Sequence, residues 1–213
     1  MPEQSLPTSY AQGSQQPPLW SITIGQALDN TVARHGEREA LVVPHQGVRW
    51  TWAQLAQRVD EVAAGLLALG LVPGDRVGIW APNCAEWVLT QFASARAGLV
   101  LVNVNPAYRR AELEYALNKV GCKALVLAPA LKTSDYLEII NDLAPELAGS
   151  VPGALQSRTL PALRWVIRLG EDTTDGMLNF SELPTRATAA SRAQLAAIGP
   201  TLAATDADRK SVV

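Results

Sequence analysis

Two cysteines, two histidines and a few clustered charges are the residues of this chain that could do chemistry. Cys84 follows Asn83, which reads as a helix N-cap, and the partial positive charge at a helix N-terminus lowers a thiol's pKa. That gives Cys84, alone of the two thiols, a reason to be reactive, although a small buried hydrophobe in a first turn is its expected role. Cys84 and Cys122 lack CxxC spacing and are too few for a disulfide framework, so two reduced thiols are expected. His35 stands beside Gly36 at a helix end, and His45 lies in a turn. Neither has a carboxylate or second histidine at ligand spacing, so both are expected to be solvated and not to bind metal. Glu112 and Glu114, two apart on a helix, face different directions and make no acid–base pair. Arg109 and Arg110 open the same helix, where a basic pair opposes the macrodipole. That placement suits an anion or a partner, with a surface salt bridge as the expected role. No serine sits in GxSxG.

Phosphate-cradling signals are absent as well. No GxGxxG follows a strand, and there is no GxxxxGK[ST]. The turns after the expected strands read Ala81-Pro82-Asn83, Asn103-Val104-Asn105-Pro106 and Pro129-Ala130-Leu131, none with glycines that would let a backbone approach a pyrophosphate.

The elements that must position these residues follow from hydrophobic period and caps. Residues 1–18, rich in Pro, Ser and Gln, read as a mobile tail. An amphipathic helix is expected from Leu19 to Arg34, ending near Gly36. Ala40–Val43 and Val48–Trp50 read as a hairpin across Pro44-His45-Gln46-Gly47. Thr51 and Gln54 form a capping box. The helix they open carries Leu55, Val59, Val62, Leu66 and Leu69 on one face and ends at Gly70. Strands are expected at 76–80, 99–102, 123–128 and 164–168. Helices are expected from Asn83 to Ala97, from Glu112 to Val120 before Gly121, and from Ser134 to Leu143 before Pro145. Residues 149–160 and 170–192 read as loops. The strands at 99–102 and 124–128 are apolar at almost every position, the signature of parallel strands covered on both faces. The expected fold is therefore α/β, a doubly wound and mostly parallel sheet preceded by a hairpin and a helix. Trp50, Trp52, Trp80, Trp87 and Trp165 fall on these elements, so packing is their expected role.

Composition narrows the class. A chain of 213 residues is long enough to bury a core, and 48 % apolar with 18 % charged residues is ordinary globular usage. A net charge of −2 gives no general reason to bind nucleic acid or an anionic membrane. The longest nearly apolar stretch, 62–72, is too short to cross a bilayer. The first basic residue is Arg34, so neither a secretory signal nor an arginine-rich transit peptide is expected, and the reading is cytoplasmic. The sequon Asn179-Phe180-Ser181 then has no use.

Several stretches, taken together, resemble AMP-forming acyl-CoA synthetases. They are Arg49-Trp50-Thr51-Trp52-Ala53-Gln54-Leu55 and Gly74-Asp75-Arg76-Val77-Gly78-Ile79, followed by Pro82-Asn83 and Glu86-Trp87. The run Asn103-Val104-Asn105-Pro106-Ala107-Tyr108-Arg109 with Glu112-Leu113, and Gly121-Cys122-Lys123-Ala124-Leu125-Val126, continue the likeness. The segments 132–136, 166–170 and 176–180 are most similar to the medium-chain and fatty-acid branch. The resemblance covers about residues 20–205.

It implies an adenylate-forming ligase that joins a carboxylate to ATP as an acyl-adenylate, releases pyrophosphate, and passes the acyl group to coenzyme A, with magnesium accompanying ATP. The family's Ser/Thr/Gly-rich phosphate loop with its lysine should begin shortly after Thr205-Asp206. The later motifs and the small C-terminal domain with its catalytic lysine have no counterpart here. The resemblance therefore carries no catalytic, cofactor-binding or metal residue onto this chain. ATP, magnesium and coenzyme A belong to the complete enzyme, and this chain is expected to be inactive alone. The expected division is a tail at 1–18, a partial AMP-binding domain at 19–206, and a foreign tail at 207–213. Asp208-Arg209-Lys210-Ser211-Val212-Val213 departs from the family and can be encoded by GAT CGG AAG AGC GTC GTG, a sequencing-adapter sequence. Truncation is expected to leave an apolar face in water. The alternatives are a short interaction module that pairs with a synthetase and, against the missing GxGxxG, a Rossmann-like nucleotide binder.

Overall fold

The computed structural model describes residues 13, 16–18, 20–207 and 209–210. Most of the expected N-terminal tail lies outside them. The first helix, α1, spans Ile24–His35 rather than starting at Leu19, because Thr23 and Gln26 cap it. The Thr23 hydroxyl accepts from the Gln26 N–H at 3.1 Å, and the Gln26 side chain accepts from the Thr23 N–H at 2.9 Å. Strands β1 (Glu39–Val43) and β2 (Val48–Thr51) form the expected antiparallel hairpin, joined by a 3-10 turn at Pro44–Gln46. Helix α2 (Trp52–Ala68) follows, opened by the Thr51–Gln54 capping box at 3.0 and 3.3 Å. Its Leu55, Val59, Val62 and Leu66 are buried, as their spacing requires.

The remaining elements are β3 (Arg76–Trp80), α3 (Ala85–Arg96), β4 (Val100–Asn103), α4 (Arg110–Val120) and β5 (Cys122–Leu127). After these come β6 (Ala130–Leu131), β7 (Ser134–Asp135), α5 (Tyr136–Leu143), β8 (Trp165–Arg168), β9 (Leu178–Asn179), α6 (Leu183–Arg186), α7 (Ala189–Ile198) and β10 (Arg209–Lys210). The main sheet has the order β10-β4-β3-β5-β8-β9, and every pairing in it is parallel. The chain steps from β3 to β4 in one direction and from β4 back past β3 to β5 in the other. Right-handed crossovers then put α3 on one face and α4 and α5 on the opposite face. Helices α1, α6 and α7 join α2 and α3. This is the expected doubly wound α/β sheet. Gly121 closes α4 with φ +63, and a Cβ there would meet the Arg76 guanidinium at 2.7 Å. Arg76 instead donates to the Val120 and Gly121 carbonyls at 2.6 and 2.9 Å, satisfying that helix end.

Two further readings are corrected. The helix expected from Ser134 begins at Tyr136, because Ser134 and Asp135 pair back with Ala130 and Leu131 and the Asp135 carboxylate caps the helix at 2.9 Å. Residues 170–192 are not all loop: they hold β9, a 3-10 turn at Phe180–Glu182, α6 and the start of α7. Their elements are too short for a periodic signal, yet Asn179 with Glu182 and Thr188 with Ser191 are local caps. The large exposed apolar residues among those described are Trp20, Val42, Val72, Tyr115 and Val151, on five different segments. Within the tail at 207–213, Arg209 and Lys210 pair with Leu101 and Val102.

Candidate functional site

In an open α/β sheet a crevice opens at the carboxyl ends of the strands where successive loops leave to opposite faces. Here the loop after β3 leaves to the α3 face, and the loops after β4 and β5 leave to the other. The carboxyl end of β3 is Trp80, which is fully buried and stacks on Tyr136 with ring centroids 3.7 Å apart and planes 14° from parallel. Both rings hold the loop after β4 by their polar tips. The Trp80 indole N–H donates to the Asn105 carbonyl at 3.1 Å, and the Tyr136 hydroxyl donates to the Pro106 carbonyl at 2.6 Å. Burial pushes the Tyr136 phenol up, against a smaller lowering by Arg109, so it stays a donor. The Asn105 side chain accepts from the Ala107 N–H at 2.9 Å, which completes the turn.

Beside this loop lies a cavity of about 390 Å³ lined by Ala81, Asn83, Trp87, Asn103–Pro106 and Tyr108. Asn83, Asn103 and Asn105 present amides at its mouth. Such a wall can orient a polar ligand, but it holds no nucleophile and no carboxylate. Among the described residues no group of three or more His, Cys, Asp or Glu could hold a metal. No chemical step is derived through magnesium.

The residues singled out for chemistry fall as follows. Asn83 is not the cap of α3: that position is Cys84. The capping acceptor is Gln46, from the hairpin turn, which takes the Ala85 N–H at 2.7 Å and donates to Glu86 at 2.8 Å. Cys84 is half-buried, and burial pushes its thiol up to about 11, so the argument for a reactive thiolate fails. Cys122 is buried in the sheet and pushed up to about 12 by the same cause. His35 and His45 are exposed. Arg109 and Arg110 are exposed too, but neither forms an ion pair among the described residues. The Glu112 carboxylate nearest in sequence instead accepts from the backbone N–H of Arg109 at 3.1 Å.

Sequence reasoning missed Arg168. It ends β8 with its side chain 3 % exposed, and its one ionic contact is a long 3.5 Å approach to Asp172. Its Nε and Nη1 have no partner. Nothing in the strand pattern marks a buried arginine except its place at the carboxyl end. A larger groove of about 700 Å³ among α1, α2, α3 and α7 lies toward the other end of the sheet. Three of its charges bind one another, Arg96 with Asp29 at 2.5 Å and with Asp60 at 2.9 Å, while Arg192 on α7 forms no ion pair among the described residues.

A family profile described as AMP-binding enzyme matches residues 28–201, well over half of the chain. The chain belongs to this family. It is 53 % identical over 159 residues to the human "Medium-chain acyl-CoA ligase ACSF2, mitochondrial", covering 75 % of this chain and 26 % of that protein. To the protein of the same name from Danio rerio it is 48 % identical over 163 residues, 76 % of this chain and 27 % of the relative. The chain thus spans about a quarter of the length of these curated relatives. Among solved structures, the acetoacetyl-CoA synthetase of Streptomyces lividans matches with a TM-score of 0.64 and 25 % identity, over 79 % of this chain and 26 % of that one. MbtA of Mycobacterium smegmatis matches with a TM-score of 0.64 and 26 % identity, over 79 % of this chain and 28 % of that one.

Proposed function

We propose that this chain is part of an acyl-CoA ligase acting on a medium-chain carboxylate, ATP and coenzyme A. In this reading it supplies the folded layer against which the acylating site is built, and it does not catalyse the reaction by itself. The observation that carries the reading is the family match together with a carboxyl-end crevice that offers amides but no nucleophile, base or phosphate-gripping glycine loop. Adenylyl transfer from ATP to a carboxylate needs charge stabilisation at the reacting phosphate and the leaving pyrophosphate, and acyl transfer from the adenylate to coenzyme A, with AMP leaving, needs it at the developing oxyanion. Asn83, Asn103 and Asn105 can orient a ligand but bring no positive charge.

The test is a pyrophosphate-release assay of the purified 213-residue chain with ATP, magnesium, octanoate and coenzyme A. No release above the protein-free control is expected. Octanoate-dependent release by this chain alone would overturn the reading. Sequencing of the source DNA past codon 213 supplies the second arm: a Ser/Thr/Gly-rich loop with a lysine in the continuing frame is the expected result.

A further inference from the structure

A second cavity, of about 360 Å³, opens at the same end of the sheet but on the α2–α3 face. Its floor is apolar: Val62, Leu89 and Phe180 are 1 %, 6 % and 6 % exposed. Trp50 and Pro184, both half-buried, form walls. The rim carries Glu61, Glu86 and Glu171. None of these three carboxylates forms an ion pair within 4.0 Å among the described residues; Glu61 accepts from the Gln57 amide at 3.2 Å, and Glu86 from the Gln46 amide at 2.8 Å and from the neutral Cys84 thiol. The one cation of the rim is Arg58. Its guanidinium lies over the Trp50 ring at 4.6 Å and donates to the Gln54 carbonyl at 3.2 Å. The N-terminus of α3 adds a partial positive charge near Glu86. Three carboxylates against one guanidinium and half a helix charge leave the mouth net negative.

An apolar floor large enough for a small molecule, under a negative mouth, selects one ligand chemistry. We infer that this cavity binds a small amphipathic amine, an alkyl or aryl group on a primary ammonium. The hydrocarbon packs between Trp50 and Phe180, and the ammonium sits among Glu61, Glu86 and Glu171. A fatty carboxylate of the same length would fill the same floor but meet like charge at the mouth. The site is separate from the amide-lined crevice, so it stands or falls independently of the ligase reading.

The test titrates the ¹⁵N-labelled 213-residue chain with n-octylammonium, octanoate and n-octanol at low ionic strength. The readout is the Trp50 indole N–H resonance, assigned by its loss in Trp50→Phe. Octylammonium is expected to shift that resonance saturably and to bind at least about fivefold tighter than octanoate, the effect of a partly exposed charge pair. The preference is expected to shrink as salt is raised. In the Glu61→Gln, Glu171→Gln double variant the preference over octanoate falls while octanol binding is kept. The comparison of the three probes on the unaltered chain does not depend on how that variant folds. Equal or tighter binding of octanoate, or octylammonium shifts that leave the Trp50 indole unmoved, would overturn the inference.

Discussion

The two cavities at the carboxyl end of the sheet are built in opposite ways. The crevice beside β3 is a loop held by a buried aromatic pair, and both bonds that the rings make to it end on backbone carbonyls. The cavity on the α2–α3 face is a gap between packed elements, with an apolar floor and side-chain charges at its mouth. The first is positioned by a few directional bonds made by fully buried rings. The second is positioned by how closely α6 and the hairpin approach α2. Removing a ring should therefore disturb one cavity and leave the other, and widening a helix contact should do the reverse.

Trp80→Ala is expected to have the largest effect. Deleting a fully buried indole leaves a void and an unpaired Asn105 carbonyl, and costs about 3–5 kcal/mol in urea unfolding. The amides of Val104, Ala107 and Tyr108 should lose exchange protection while the Trp50 indole resonance stays in place. Gly65→Ala is the converse. A Cβ at Gly65 would stand 2.2 Å from the Leu183 carbonyl oxygen, so α6 must retreat, at about 1–3 kcal/mol. Here the Trp50 resonance should move and those three amides should not. Tyr136→Phe keeps the stack and removes only the bond to Pro106, so about 1 kcal/mol and a local rise in exchange at Ala107 and Tyr108 are expected.

The smallest effect concerns the rim near Gln46. With its thiol pushed up to about 11, Cys84 should alkylate slowly at pH 8, and its rate should climb until pH passes about 11. The linkage has a definite sign: an acid whose folded pKa is raised favours folding equally at all pH below its unfolded value. As pH rises above the unfolded thiol range near 9, the unfolded chain ionises first and stability falls. Gln46→Ala, which removes the acceptor for the Ala85 N–H, is expected to loosen this region and speed alkylation at fixed pH.

Much of the fold was legible in the sequence, because its signals are local. The Thr51–Gln54 box opens α2, and four of the five expected face residues, Leu55, Val59, Val62 and Leu66, lie within that one helix, with Leu69 at its C-cap. The apolar runs that became β4 and β5 announce strands buried on both sides, and with Gly98 and Gly121 ahead of them, each ending a helix, they give the alternation of a parallel sheet. The misses came where the deciding partner is distant or the element is short. Thr23 and Gln26 were a legible cap that moves the start of α1. Residues 178–186 make a two-residue strand and a four-residue helix, too brief for any period to register.

The sites were less legible than the fold. Asn83 looked like a cap because an asparagine before a helical run commonly is one, yet α3 is capped by Gln46, thirty-nine residues upstream. No spacing rule links Trp80 to Tyr136, or Trp50 to Phe180. The first pair stacks because β3 and β5 pair in register, and the second lines one cavity because α6 folds back onto Gly65. The chain's own residue order determined which segments are helix and strand, where most of them stop, and to which family the chain is similar. Only the tertiary structure decided that Cys84 is desolvated, that Arg168 is buried with unpaired donors, and that two chemically different cavities share one end of the sheet. Local signals act through hydrogen bonds within a turn or two of the chain. Burial, charge environment and cavity shape depend on which distant surfaces exclude water from one another.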